Sequence, residues 1–86
     1  MTWEIRLSQS AVKVLRRVDR PTQERLAAKL DAIAADPFEA SKPLQGTEVR
    51  SARVGDWRII LKIDNGVLIV TITSIEQRGQ VYRHLP

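Results

Sequence analysis

The side chains with the most chemistry to offer in this chain are its arginines. Ten of the fourteen cations are Arg, whose planar, permanently charged fork of donors matches the oxygens of phosphate and carboxylate. The balance of 14 Lys plus Arg against 10 Asp plus Glu leaves a net charge of +4 and a pI near 10.1. Such a surplus suits an anionic partner, either nucleic acid or an acidic protein, and equally serves simple solubility. Position has to decide between them. The absence of Cys removes a thiol nucleophile, a thiolate zinc site and a disulfide framework. The single imidazole, His84, is either a mobile surface residue or a proton-transfer group with an ordinary pKa near 6.5 (approximately).

Two of the arginines are placed by their spacing. In Arg53-Val54-Gly55-Asp56-Trp57-Arg58 the Gly-Asp step suits a two-residue hairpin turn, which sets Arg53 directly across from Arg58 on neighbouring antiparallel strands. Like charges so placed oppose folding, so a bound anion gives a reason for the pair. Otherwise the two guanidinium groups splay into water, or Asp56 or Glu76 neutralises one of them.

The elements that hold this pair follow from periodicity. Trp3, Ile5 and Leu7 alternate with polar residues as a half-buried strand does, and Ser8 can cap a helix bearing Ala11, Val12, Leu15 and Val18. Asp19-Arg20-Pro21 breaks that helix and starts another, with Leu26, Leu30, Ile33 and Ala34 on one side, until Asp36-Pro37 stops it. The cations of this helical hairpin, Lys13, Arg16, Arg17, Arg20, Arg25 and Lys29, fall mostly outward among acids, as on a solvated face. Residues 38–46 read as a loop. Three antiparallel strands are then expected over 49–54, 57–64 and 67–74, the last two joined by an Asn65-Gly66 turn.

A two-residue turn at Asn65-Gly66 would set Ile63 across from Leu68, Leu61 from Val70 and Ile59 from Ile72. That apolar side calls for the helical hairpin, and the opposite side carries Arg58, Ile60, Lys62, Thr71 and Thr73. The expected fold is a two-layer α+β domain in the order β-α-α-β-β-β, one domain over residues 1–86, since this length supports one modest core. No apolar run approaches a membrane span, and the opening residues lack the form of a secretion signal, so a soluble, cytoplasmic protein is expected.

The final segment opens with Ser74 and has Gln77 three residues later, the spacing of a capping box, so a short terminal helix is expected. On it Arg78 and Tyr82 would share a face beside the Arg58 side of the sheet. Gly79 weakens that helix by about 1 kcal/mol relative to Ala. Without a ligand, Tyr82 would be a packing residue with a wet hydroxyl and Arg78 a solvated charge stacked on it.

The run Arg53-Val54-Gly55-Asp56-Trp57-Arg58, the Ile-Asp-Asn-Gly hairpin and the ending Gln77-Arg78-Gly79-Gln80-Val81-Tyr82-Arg83 together resemble the RelE/ParE superfamily of toxins. The opening strand, the helical hairpin ending in Asp36-Pro37, and Leu44-Gln45-Gly46 fall where that family has corresponding elements, so the resemblance is nearly full length. It implies a toxin of a type II toxin–antitoxin pair, most often a ribosome-dependent endoribonuclease acting on mRNA. The messenger's own 2′-hydroxyl then attacks the adjacent phosphate, with no metal and no cofactor.

By the same resemblance Arg58, Arg78 and Tyr82 are the expected catalytic residues, with Arg53, Lys62 and Arg83 as RNA or phosphate contacts. Arginine donors around a phosphate whose charge grows in the transition state are electrostatic catalysis, and Tyr82 is the candidate base or hydroxyl-positioning group. A phenol titrates near pH 10, so Tyr82 needs cationic neighbours to act. Gln77 departs from the pattern, because many relatives have His there and Gln cannot exchange protons. The expected partners are a cognate antitoxin, the ribosome and mRNA, with no membrane. The alternative is a ParE-like toxin that inhibits DNA gyrase without cutting RNA.

Overall fold

Ser8 shows how the chain turns its first corner. Its hydroxyl accepts from the Ala11 N–H (3.2 Å) as the cap of a helix and donates to the Thr73 carbonyl of a distant strand (2.8 Å). The computed structural model describes residues 2–44, 46 and 48–77. The elements are β1 (Glu4–Leu7), α1 (Gln9–Arg17), α2 (Arg20–Ala35), α3 (Pro37–Ala40), β2 (Lys42–Pro43), β3 (Arg50–Val54), β4 (Trp57–Asp64) and β5 (Ile69–Gln77). The five strands form one sheet in the order β1-β5-β4-β3-β2, with β1 parallel to β5 and every other neighbour antiparallel.

The two-layer α+β fold is as expected. Ala11, Leu26 and Ile33 of the helices pack against Ala52, Ile59, Leu61, Val70, Ile72 and Ile75 of the sheet, and all nine are buried. Burial of each large aliphatic side chain contributes roughly 1.5–3 kcal/mol, so these few positions carry much of the fold. On α1 it is Val14, with Leu15 and Val18, that packs against this core, in place of the expected Val12. Pro21 lies in the first turn of α2, where its missing N–H costs nothing, and Asp36 ends that helix. No helix among the described residues is long and apolar enough to cross a membrane.

Three expectations are corrected. First, residues 38–46 are not simply a loop. Asp36 caps the one-turn helix α3, its carboxylate accepting from the Glu39 N–H (3.2 Å), and Lys42–Pro43 then add a short strand beside β3. Second, the β4–β5 turn spans 65–68 rather than Asn65-Gly66 alone, with Leu68 at positive φ (56°), so Ile63 faces Val70 and Leu61 faces Ile72. The slip is two residues, and because side chains alternate with period two it leaves every residue from 69 to 72 on its expected side.

Third, Ser74 caps no helix. The strand continues to Gln77 through a bulge at Thr73, since Ile60 pairs with Ser74 while Leu61 pairs with Ile72. The bulged residue is fully engaged. Its carbonyl accepts from the hydroxyls of Ser8 (2.8 Å) and Ser10 (3.2 Å), and its own Oγ1 donates to the Ile60 carbonyl (3.2 Å). One inserted residue reverses the alternation beyond it. Ile75 therefore reaches the core, and Glu76 turns to the side the helices leave open. The terminal helix expected to carry Arg78 and Tyr82 falls, past Gln77, outside the described residues.

Candidate anion-binding face

Gly55, at φ 56°, turns the chain between β3 and β4 in two residues, so that Val54 faces Trp57 and Arg53 faces Arg58. Both arginines are exposed on the helix-free side of the sheet, as expected from their spacing. On the other flank of Arg58, Glu76 occupies the opposed position of β5. Among the described residues no ion pair within 4 Å joins Arg53, Arg58 or Glu76 to another side chain. Direct opposition of Arg53 and Arg58 opposes folding by about 0.2–1 kcal/mol. The pair thus presents two guanidinium groups whose donors suit an anion.

The pair opens on a cleft of about 400 Å3 at the β3 edge, whose lining includes Lys29, Glu39 and Lys42 beside Arg53 and Arg58. The cleft exists because β2 covers only Arg50 and Ser51, leaving β3 without an outer neighbour from Ala52 onward. Its wall is held from behind by Arg50, whose Nε donates to Ser41 Oγ (2.8 Å) and whose Nη2 donates to the carbonyls of Ser41 (2.8 Å) and Phe38 (3.1 Å). The same guanidinium lies over the Phe38 ring (5.4 Å), which meets Trp3 edge-on (centroids 5.9 Å apart). These contacts satisfy the carbonyl end of α3 and fix Ser41 and Lys42 at the cleft.

Of the residues expected to touch a phosphate, Arg53 and Arg58 are brought together. Lys62 is exposed on the same side, but two alternations further along β4 it borders a separate depression with Glu48, Asp64 and Thr71. Thr73, expected beside Arg58, is half-buried in the bulge. Gln77 pairs with Trp57, one step beyond the Arg58–Glu76 pair, and alternation puts it on the other side of the sheet from Arg58. Arg78, Tyr82, Arg83 and His84 lie outside the described residues. Sequence spacing missed Lys29 and Lys42 as neighbours of the pair: one read as part of a solvated helix face and the other as loop. Among the described residues no group of three or more His, Asp or Glu is placed to hold a metal ion.

The family model described as the ParE toxin of the type II toxin–antitoxin system parDE matches residues 5–82. The chain belongs to this family. The matched span of this ParE-family toxin includes Arg53, Arg58, Arg78 and Tyr82. No curated protein gives a significant match. Among solved structures, the toxin–antitoxin complex RelBE2 from Mycobacterium tuberculosis is similar in fold, with a TM-score of 0.82 and 21% identity over 92% of this chain and 94% of that one. The archaeal RelE–RelB complex from Pyrococcus horikoshii gives 0.80 and 23% over 93% and 99%. The isolated E. coli RelE toxin gives 0.76 and 20% over 96% and 99%.

Proposed function

We propose that this ParE-family toxin is a ribosome-dependent endoribonuclease that cuts mRNA without a metal and is neutralised by a cognate antitoxin. The observation that carries the proposal is the Arg53–Arg58 pair, two exposed guanidinium groups opposed across the helix-free face with no ion pair within 4 Å among the described residues. In the proposed reaction the messenger's 2′-oxygen attacks the adjacent phosphorus and the bond to the 5′-oxygen breaks. Tyr82 takes the proton from the 2′-hydroxyl, and a proton is returned to the departing 5′-oxygen. The products are a 2′,3′-cyclic phosphate and a 5′-hydroxyl.

Arg58, with Arg53 and Arg78, supplies donors to the phosphorane oxygens, whose negative charge is greatest at the transition state. To act as base, Tyr82 requires cationic neighbours that favour its phenolate. Lys62 and Arg83 act further along the RNA. Gln77 removes one acid/base route, and its placement on the side away from Arg58 is consistent with a donor elsewhere for the leaving oxygen. A folding antitoxin suits the chain's basic surface, and RelE-type structures of like fold include complexes with RelB antitoxins.

Primer extension on a translated mRNA, with and without ribosomes, tests the proposal. Wild type is expected to cut only with ribosomes, and Arg58→Ala and Tyr82→Phe to lose roughly 100-fold or more in rate. The family model's own description, ParE of parDE, favours a second reading, inhibition of DNA gyrase. Intact mRNA at concentrations that arrest growth, together with loss of supercoiling activity, would replace the nuclease with that reading.

A further inference from the structure

The cleft at the β3 edge holds more positive charge than the Arg53–Arg58 pair alone. Lys42 sits opposite Ser51 in the β2–β3 register, so it shares the open side of the sheet with Arg53, two residues along β3. Lys29 comes from α2, in the layer behind the sheet, and reaches the same cleft around the uncovered edge. Among the described residues four cations thus line one cleft against a single carboxylate, Glu39. No ion pair among the described residues ties any of them down. Folding gives no reason for this crowding, because each like-charge approach costs stability.

We propose that Lys29 and Lys42 form a second phosphate subsite, and that a single RNA strand bound at Arg53 and Arg58 continues over the β3 edge with a flanking phosphate held by these two lysines. The inference rests on the nuclease reading for the identity of the strand. The lining favours a polyanion over an acidic protein. Among the described residues the apolar side chains it offers are only Ala40 and Ala52, whereas a protein partner needs pockets for large aromatic or aliphatic anchors. Lysine suits a flanking phosphate, as a point charge that holds without demanding the bidentate geometry required at a reacting group.

The test measures binding of a fully 2′-O-methylated RNA oligonucleotide, which cannot be cut by 2′-hydroxyl attack, as a function of salt. Each phosphate contact on a single strand contributes about 0.7 to the slope of log affinity against log salt. Lys29→Gln with Lys42→Gln is expected to lower that slope by about 0.7–1.4 while the melting temperature stays within a few degrees of wild type, and to raise KM for cutting more than it lowers kcat. Glu39→Gln is expected to tighten binding, and this opposite sign guards against misfolding as the explanation. An unchanged slope in the double variant, or unchanged binding in Glu39→Gln, overturns the subsite. So does lysine-dependent binding of polyglutamate when RNA binding is indifferent to both lysines. A wild type that binds the oligonucleotide through Lys29 and Lys42 but cuts no mRNA keeps the subsite and rejects the nuclease. A wild type that cuts normally with a lysine-independent slope rejects the subsite alone.

Discussion

At the scale of single residues, function and stability should pull in opposite directions at Arg53. Arg58 stands between a like charge, Arg53, and an opposite one, Glu76. Replacing Arg53 by Gln relieves the repulsion and leaves Arg58 beside Glu76, so Arg53→Gln is expected to gain about 0.2–1 kcal/mol, read as a Tm raised by a few degrees. Cutting should fall in the same variant. Arg58→Gln removes the attraction to Glu76 as well, so it should lose roughly 100-fold or more in rate with no gain in Tm. A lower melting temperature for Arg53→Gln would mean that the pair is not under mutual repulsion. The opposition of these two arginines was legible because one Gly-Asp step fixes a short hairpin and hence its register. Glu76 was named as a possible neutraliser of the pair, but its position opposite Arg58 was not legible, because an uninterrupted alternation through Thr71 and Thr73 would have turned it inward.

At the scale of elements, polar side chains decide what apolar periodicity cannot. Ser8→Ala removes both the cap of α1 and one donor to the bulge carbonyl, and is expected to cost about 1–2 kcal/mol in chemical denaturation. Arg50→Met keeps an unbranched stem but strands the carbonyls of Phe38 and Ser41, and should cost about 2–3 kcal/mol. The Thr22 hydroxyl, and to a lesser degree Arg25, holds the Asp19 carboxyl at the start of α2 below its ordinary 3.8. A carboxyl with a lowered folded pKa stabilises when ionised, so the advantage of wild type over Asp19→Asn is present above pH 3.8 and lost as pH falls below it. Urea midpoints taken from pH 6 down to pH 2.5 (approximate limits) check the sign. Helices α1 and α2, their break at Pro21 and the β3–β4 hairpin were readable from caps, proline and spacing. The bulge was not, since its stabilising hydroxyls come from Ser8 and Ser10, more than 60 residues away in the chain. Nor were α3 and β2, which are too short to show a period and are held by the side chain of Arg50.

At the scale of the whole molecule, positive charge is spread over two surfaces with different expected roles. The outward cations of the helical hairpin, such as Arg16 and Arg17, are exposed. Replacing both by Gln should change stability by no more than about 0.5 kcal/mol and leave cutting of a short mRNA unchanged, if they are a solvated face. A loss of cutting comparable to that of Arg58→Gln would assign them to the ribosome or the messenger. The order of strands has a further consequence, for the birth of the protein. Glu4–Leu7 pair with Ile69–Ile72, so the sheet cannot be completed until residues 69–72 have been made. Pairing of such remote segments is slow to close, and the candidate anion-binding face borders β5 at Glu76. A growing chain that ends before residue 69 therefore lacks the strand that pairs with both β1 and β4. The delay leaves an interval in which a partner already present can meet the chain before the sheet has closed.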